Sequence, residues 1–149
     1  MRAHAAAAVA LAGLLAGCAS TPPEPATALV ALGSGLEFQV EHARTADEQR
    51  TGLAGRSELS EDQGILFSFA SQSERQVWMA GMKFPLDVAW IADHRVIAVQ
   101  TLEPCTEVEQ DRCPRWTSPN YVDALLEVRA GALAGIDAGT VVTIREENP

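Results

Sequence analysis

The run Val77–Ile91, VWMAGMKFPLDVAWI, constrains the fold of this chain more than any other stretch. It holds Trp78, Trp90, Met79, Met82 and the single lysine, Lys83. It divides into two apolar runs around a break. Gln76 to Ala80 is apolar and aromatic, which suits a strand buried on at least one face. Gly81 then loosens the backbone, and Pro85 fixes φ and removes a donor, so Gly81–Pro85 reads as a connection. From Leu86 the chain alternates again, with Leu86, Val88 and Trp90 on one face and Asp87, Ala89 and Ile91 on the other. The spacing predicts a pair of core strands. Asp87 sits inside the apolar run, and a buried lone carboxylate costs several kcal/mol unless it is paired. Arg50 or Arg56 is the predicted partner.

The remaining elements follow from similar local signals. Leu36 to His42 alternates, with Leu36, Phe38 and Val40 inward. Thr45 with Glu48 three residues on is a capping box, which predicts a short helix from Ala46 to Thr51 ending at Gly52. Gly64 to Phe69 reads as a largely buried strand, and Ala70 to Arg75 as a polar turn. Ala92-Asp93-His94-Arg95 is a hairpin turn, with Val96 to Leu102 as the returning strand. Glu103 to Pro119 is a long loop. Strands are expected again at Tyr121–Val128 and Thr140–Arg145, with a turn over Ala130–Gly135 between them. The pattern predicts a mainly β fold: a compact β sandwich or partly open barrel of six to seven strands with one short helix.

The central run, W-M-x-G-M-K-F-P-L-D-x-x-W from Trp78 to Trp90, resembles the signature of an uncharacterised family, domain of unknown function 192. Three more segments fit it in order: Arg50-Thr51-Gly52-Leu53-Ala54-Gly55-Arg56, Gly64-Ile65-Leu66-Phe67, and Leu126-Glu127-Val128-Arg129-Ala130-Gly131. The resemblance runs from about Phe38 to Ile144 and implies a small, mostly β domain. It implies no activity. Position 80 is usually basic in that family and is Ala80 here.

The first residues read differently. Arg2 and His4 give a weakly basic start, and Ala5–Leu15 is an apolar run shorter than the roughly 20 residues of a membrane-spanning helix. Leu15-Ala16-Gly17-Cys18 reads as a bacterial lipoprotein cleavage box, with Cys18 the site of lipidation. An ordinary signal peptide with an accidental cysteine is the bland alternative. Ala19 rather than aspartate after the cysteine points to the periplasmic face of the outer membrane. The expected organisation is a signal peptide at 1–17, a lipid anchor and flexible tether at 18–35, and a single domain at 36–149. In an exported chain Cys105 and Cys113 read as a disulfide, which closes a short loop and contributes about 2 kcal/mol by the chain-entropy model. A zinc site is the weaker alternative, because only His42 and His94 could join the two cysteines.

The chain carries a net charge of −9 at pH 7, which argues against nucleic acid, because phosphate binding needs clustered Lys and Arg. There is no G-x-S-x-G, phosphate-binding loop or dinucleotide fingerprint, so no catalytic residue, cofactor or metal is assigned. His42 and His94 have no motif around them. Trp78 and Trp90 sit at strand positions and read as core, whereas Met82 and Phe84 lie in the connection and suit an exposed contact. The candidate ligand-binding residues are Arg56, Met82, Lys83, Phe84 and Asp87. The favoured function is a non-catalytic, lipid-anchored periplasmic module that binds a small ligand or an envelope protein. The alternatives are a small hydrolase of envelope polymers, using Asp87 with a second acid, and a structural accessory of an envelope complex.

Overall fold

The computed structural model describes residues 25–147. The segment read as a signal peptide and Cys18 lie outside the described residues. Within them the chain forms β1 (Thr27–Leu32), β2 (Leu36–Ala43), α1 (Ala46–Thr51), β3 (Gln63–Ser73), β4 (Gln76–Trp78), β5 (Leu86–Ala92), β6 (Arg95–Leu102), β7 (Arg115–Thr117), β8 (Val122–Arg129) and β9 (Val142–Glu147). Seven strands make one sheet in the order β6-β5-β8-β3-β2-β1-β9, and β4 and β7 form a separate two-stranded ribbon. The β2–β3 pair is parallel and every other neighbouring pair is antiparallel.

The alternation of side chains along the strands sorts the core into two layers. One face of the sheet gathers Val30, Phe38, Leu66, Ile91, Leu126 and Val142, contributed from one edge of the sheet to the other. The opposite face of β3, β5 and β8 gathers Ile65, Phe67, Val88, Trp90 and Leu125 under a cover of Leu53, Leu59, Met79 and Met82. Glycine is required where β3 crosses this packing. A Cβ on Gly64 would stand 2.5 Å from the Glu127 carbonyl oxygen and 2.8 Å from a Val128 methyl. The sheet is not closed into a barrel. Its edge strands meet only near the start of each, where Arg95 bridges Val141 and the Val96 N–H donates to the Thr140 carbonyl. The fold is mainly β and sandwich-like.

Several predicted elements stand as read. Thr45 and Glu48 form the capping box, and α1 spans Ala46–Thr51 with Gly52 as its C-cap. The Asp93–His94 turn joins β5 to β6 with both residues at positive φ. Cys105 and Cys113 are bonded.

Other expectations are corrected. The stretch read as tether contains β1, whose Ala28, Val30 and Leu32 are buried between β2 and β9. The ordered domain therefore starts well before Leu36. The polar turn expected from Ala70 is strand through Ser73. The two halves of the central run are not a pair of core strands: β5 is buried throughout in the main sheet, while β4 pairs with β7 outside it. Trp78 is 36% exposed rather than core, because β4 covers the sheet with Val77 and turns Trp78 outward. With β1 and β7 added, nine strands stand where six to seven were expected.

Candidate functional site

On β8 the side chains alternate between the two layers, so Leu125 and Glu127 face the second layer while Ala124, Leu126 and Val128 face the first. The cross-strand neighbours of Glu127 are Ile65 on β3 and Val88 on β5, both apolar. Glu127 is 7% exposed, and burial pushes its carboxyl up to about 8. The protonated acid is therefore its main form at pH 7, and a neutral carboxyl can donate a hydrogen bond.

Above Glu127 lies a cavity of about 850 Å³. Its floor is Glu127, Phe67, Leu125 and Leu86, one wall is α1 with the Gly52–Ala54 turn, and the other is the β4–β7 ribbon followed by Met79–Met82. Arg50, Arg75 and Arg115 line it. The Arg115 guanidinium lies over the Trp78 ring at 4.2 Å, and that of Arg75 over the Phe69 ring at 3.9 Å. Arg75 donates through Nη2 to the Ser71 carbonyl, while its Nε is buried with no partner among the described residues. Buried donors are nearly always satisfied, so an orphan beside a cavity is a place where a ligand acceptor fits.

The predicted site residues do not converge. Met82 lines this cavity and is buried, not presented as an exposed contact. Lys83 is exposed and is not among the lining residues. Phe84 is half-buried and lines a separate hollow beside Arg129. Arg56 pairs with Glu41 at 2.6 Å, and the Glu41 carboxylate holds its guanidinium above the usual arginine range. Arg50 pairs with Asp47 at 2.6 Å. Asp87 therefore has no arginine partner among the described residues. It is 3% exposed, on the first-layer face, and its carboxylate accepts from Thr101 Oγ1 at 2.7 Å and from the backbone N–H groups of Gly131 and Leu133 at 2.8 and 3.0 Å. These bonds pin the turn between β8 and β9 to the central strand. Asp87 and Glu127 point to opposite faces of the sheet, so they do not form an acid–base pair. Sequence reasoning passed over Glu127 and Arg75. An acid inside Leu125-Leu126-Glu127-Val128 carries the same signal that singled out Asp87; Arg75 has no comparable mark.

A model of uncharacterised proteins, described as DUF192, an uncharacterized ACR, matches residues 29–144. The chain belongs to the DUF192 family. No curated protein matches it. Among solved structures, a candidate transcription regulator from Sinorhizobium meliloti 1021 superposes with a TM-score of 0.72 at 24% identity, covering 83% of this chain and 97% of that one. A protein of unknown function from Novosphingobium aromaticivorans DSM 12444 superposes at 0.70 with 24% identity, covering 90% and 99%. At that identity the likeness is one of fold. In this DUF192 domain each of the four segments that carry the family resemblance reaches the cavity: Gly52 and Leu53 from the first, Phe67 from the second, Met79 and Met82 from the third, Glu127 from the fourth.

Proposed function

We propose that the protein is a ligand-binding module, held by a lipid on Cys18 at the periplasmic face of the outer membrane, and that its ligand enters the cavity above Glu127. The anchor rests on the Leu15–Cys18 box, and the Cys105–Cys113 bond suits an oxidising compartment. The carrying observation is that one cavity holds both the Arg75 Nε, buried without a partner among the described residues, and the buried Glu127 carboxyl between apolar neighbours. The ligand that satisfies both has an anionic group for the arginines, a hydrogen-bond acceptor for the Glu127 O–H, and an apolar body for Phe67, Leu125 and Met79. Ala80, where the family resemblance leads one to expect a cation, lines the cavity as a small apolar residue, and Arg75 and Arg115 supply the positive charge instead. The net negative charge gives nucleic acid no foothold.

The test is a thermal-shift screen of the chain from Ala19 against small carboxylates, phosphates and muropeptide fragments. A ligand at 100 times its Kd stabilises the fold by about 2.7 kcal/mol. A hit whose shift disappears in Arg75→Met and Glu127→Ala supports the reading. A flat screen, or a hit indifferent to both substitutions, removes it. In cells, Cys18→Ser moves the protein from the membrane to the soluble fraction if the anchor is as proposed; unchanged membrane retention rejects the anchor.

A further inference from the structure

The other face of the sheet carries a second polar cluster. His42 on β2, Ser68 on β3 and Glu146 on β9 meet at the end of the first core layer, although 104 residues separate His42 from Glu146. His42 is 5% exposed. Its Nε2 lies 2.7 Å from Ser68 Oγ, and its Nδ1 lies 3.0 Å from one Glu146 carboxylate oxygen and 3.2 Å from the other. The Arg44 guanidinium pairs with the same carboxylate and approaches Nδ1 to 3.0–3.1 Å. Ser68 also lines a cavity of about 460 Å³ with Ile91, Ala124 and Ile144 and with Asp93, His94 and Asp123.

We propose that Ser68, His42 and Glu146 are the nucleophile, base and orienting acid of a second site, which hydrolyses carboxylic esters. The arrangement has the order that acyl transfer requires: a hydroxyl on one ring nitrogen and a carboxylate on the other. The proton on Nδ1 donates to Glu146, which leaves Nε2 as the acceptor for the Ser68 O–H. In the opposite tautomer Arg44 donates to Nδ1 and Nε2–H donates to the serine, which then faces no base. The Arg44 Nε–H contact to Nδ1 at 3.1 Å belongs to the second tautomer; the triad requires the first, in which Arg44 pairs with the Glu146 carboxylate alone. The β3–β8 register breaks between Ser68 and Ser73, so Phe69–Gln72 have no cross-strand partner on β8. These residues line the same cavity as the serine, and an N–H from this irregular stretch is the nearest source of a donor for an oxyanion. No G-x-S-x-G surrounds Ser68, so no motif marks it; the three residues come together only through the strand order.

The chemistry balances without a cofactor. Ser68 Oγ bonds to the ester carbonyl carbon as its proton passes to His42 Nε2. The carbon–oxygen bond to the alcohol breaks, and the alcohol leaves with that proton. Water then attacks the acyl-serine, gives a proton to His42, and the acid departs as Ser68 Oγ takes the proton back.

The full chain is to be treated with a fluorophosphonate probe and the adduct mapped by mass spectrometry, with hydrolysis of p-nitrophenyl acetate and octanoate followed in parallel. Labelling of Ser68, together with ester turnover that vanishes in Ser68→Ala, is the expected result. Glu146→Gln lowers kcat on the order of a thousandfold or more with KM little changed, as loss of the orienting acid does in triads. The ring-nitrogen NMR shifts of His42 show the proton on Nδ1. If Ser68→Ala fails to fold, labelling of the wild-type chain still decides. A folded wild-type protein with no adduct on Ser68, or a His42 whose Nδ1 is the bare nitrogen, overturns the proposal.

Discussion

Asp87 and Glu127 are both buried carboxyls in one sheet, and the protein treats them in opposite ways. Asp87 is surrounded by three donors; Glu127 has apolar cross-strand neighbours, and burial alone acts on it. The folded state therefore keeps a proton on Glu127 that the unfolded chain releases near pH 4.5, and holds it until about pH 8. Between those values the folded state binds more protons, so stability falls as pH rises. The contribution is whole below pH 4.5, is lost progressively up to about pH 8, and is constant beyond. Glu127→Gln keeps the shape and removes the titration. In thermal melts from pH 4 to 9 the variant should gain on the wild type steadily through that window. Parallel curves would show that Glu127 ionises freely. The burial of Asp87 was legible in its apolar neighbours, but its partners were not. Two of them are backbone N–H groups, which have no letter in a sequence, and the arginines that do have letters were satisfied nearer home by Glu41 and Asp47.

Elements with local causes were legible, and those with distant causes were not. The capping box, the two-residue hairpin and the alternation of β2 and β5 are set within a few residues, and each lies where its pattern puts it. β1 was hidden because Pro, Ala, Ser and Thr around it outweigh the short alternation of Ala28, Val30 and Leu32. β4 was assigned to the core because an aromatic-rich run reads the same in a central strand and in a covering ribbon, where Trp78 stays partly exposed against Arg115. The crossing at Gly64 gives a prediction for β3. A methyl there meets the backbone of β8 at 2.5 Å, where nothing flexible can yield. Gly64→Ala should cost about 1–3 kcal/mol, as overpacking does, read from the urea midpoint. An unchanged midpoint would mean that the strands separate more readily than their packing suggests.

For the molecule as a whole, β1 decides where the domain begins. It stands between β2 and β9, so a chain started at Leu36 loses the partner of both and uncovers Phe38, Val40 and Val142. Such a chain should show no cooperative thermal transition and no near-ultraviolet circular dichroism, while one started at Ala19 shows both; a sharp transition from the shorter chain would make β1 dispensable. The placement of β1 also fixes the order of events in folding. β2 follows it after a tight turn, but its other neighbour, β9, comes from the far end of the chain, with Thr27 opposite Glu147. Closing so long a loop carries an entropic cost before any contact returns it, and folds built on such pairings form over milliseconds to seconds. During that interval one side of β1 is a bare strand edge with an apolar inner row, which is the template on which chains aggregate. The newly made protein is therefore most exposed to self-association, and most in need of a chaperone, while its first strand waits for its last.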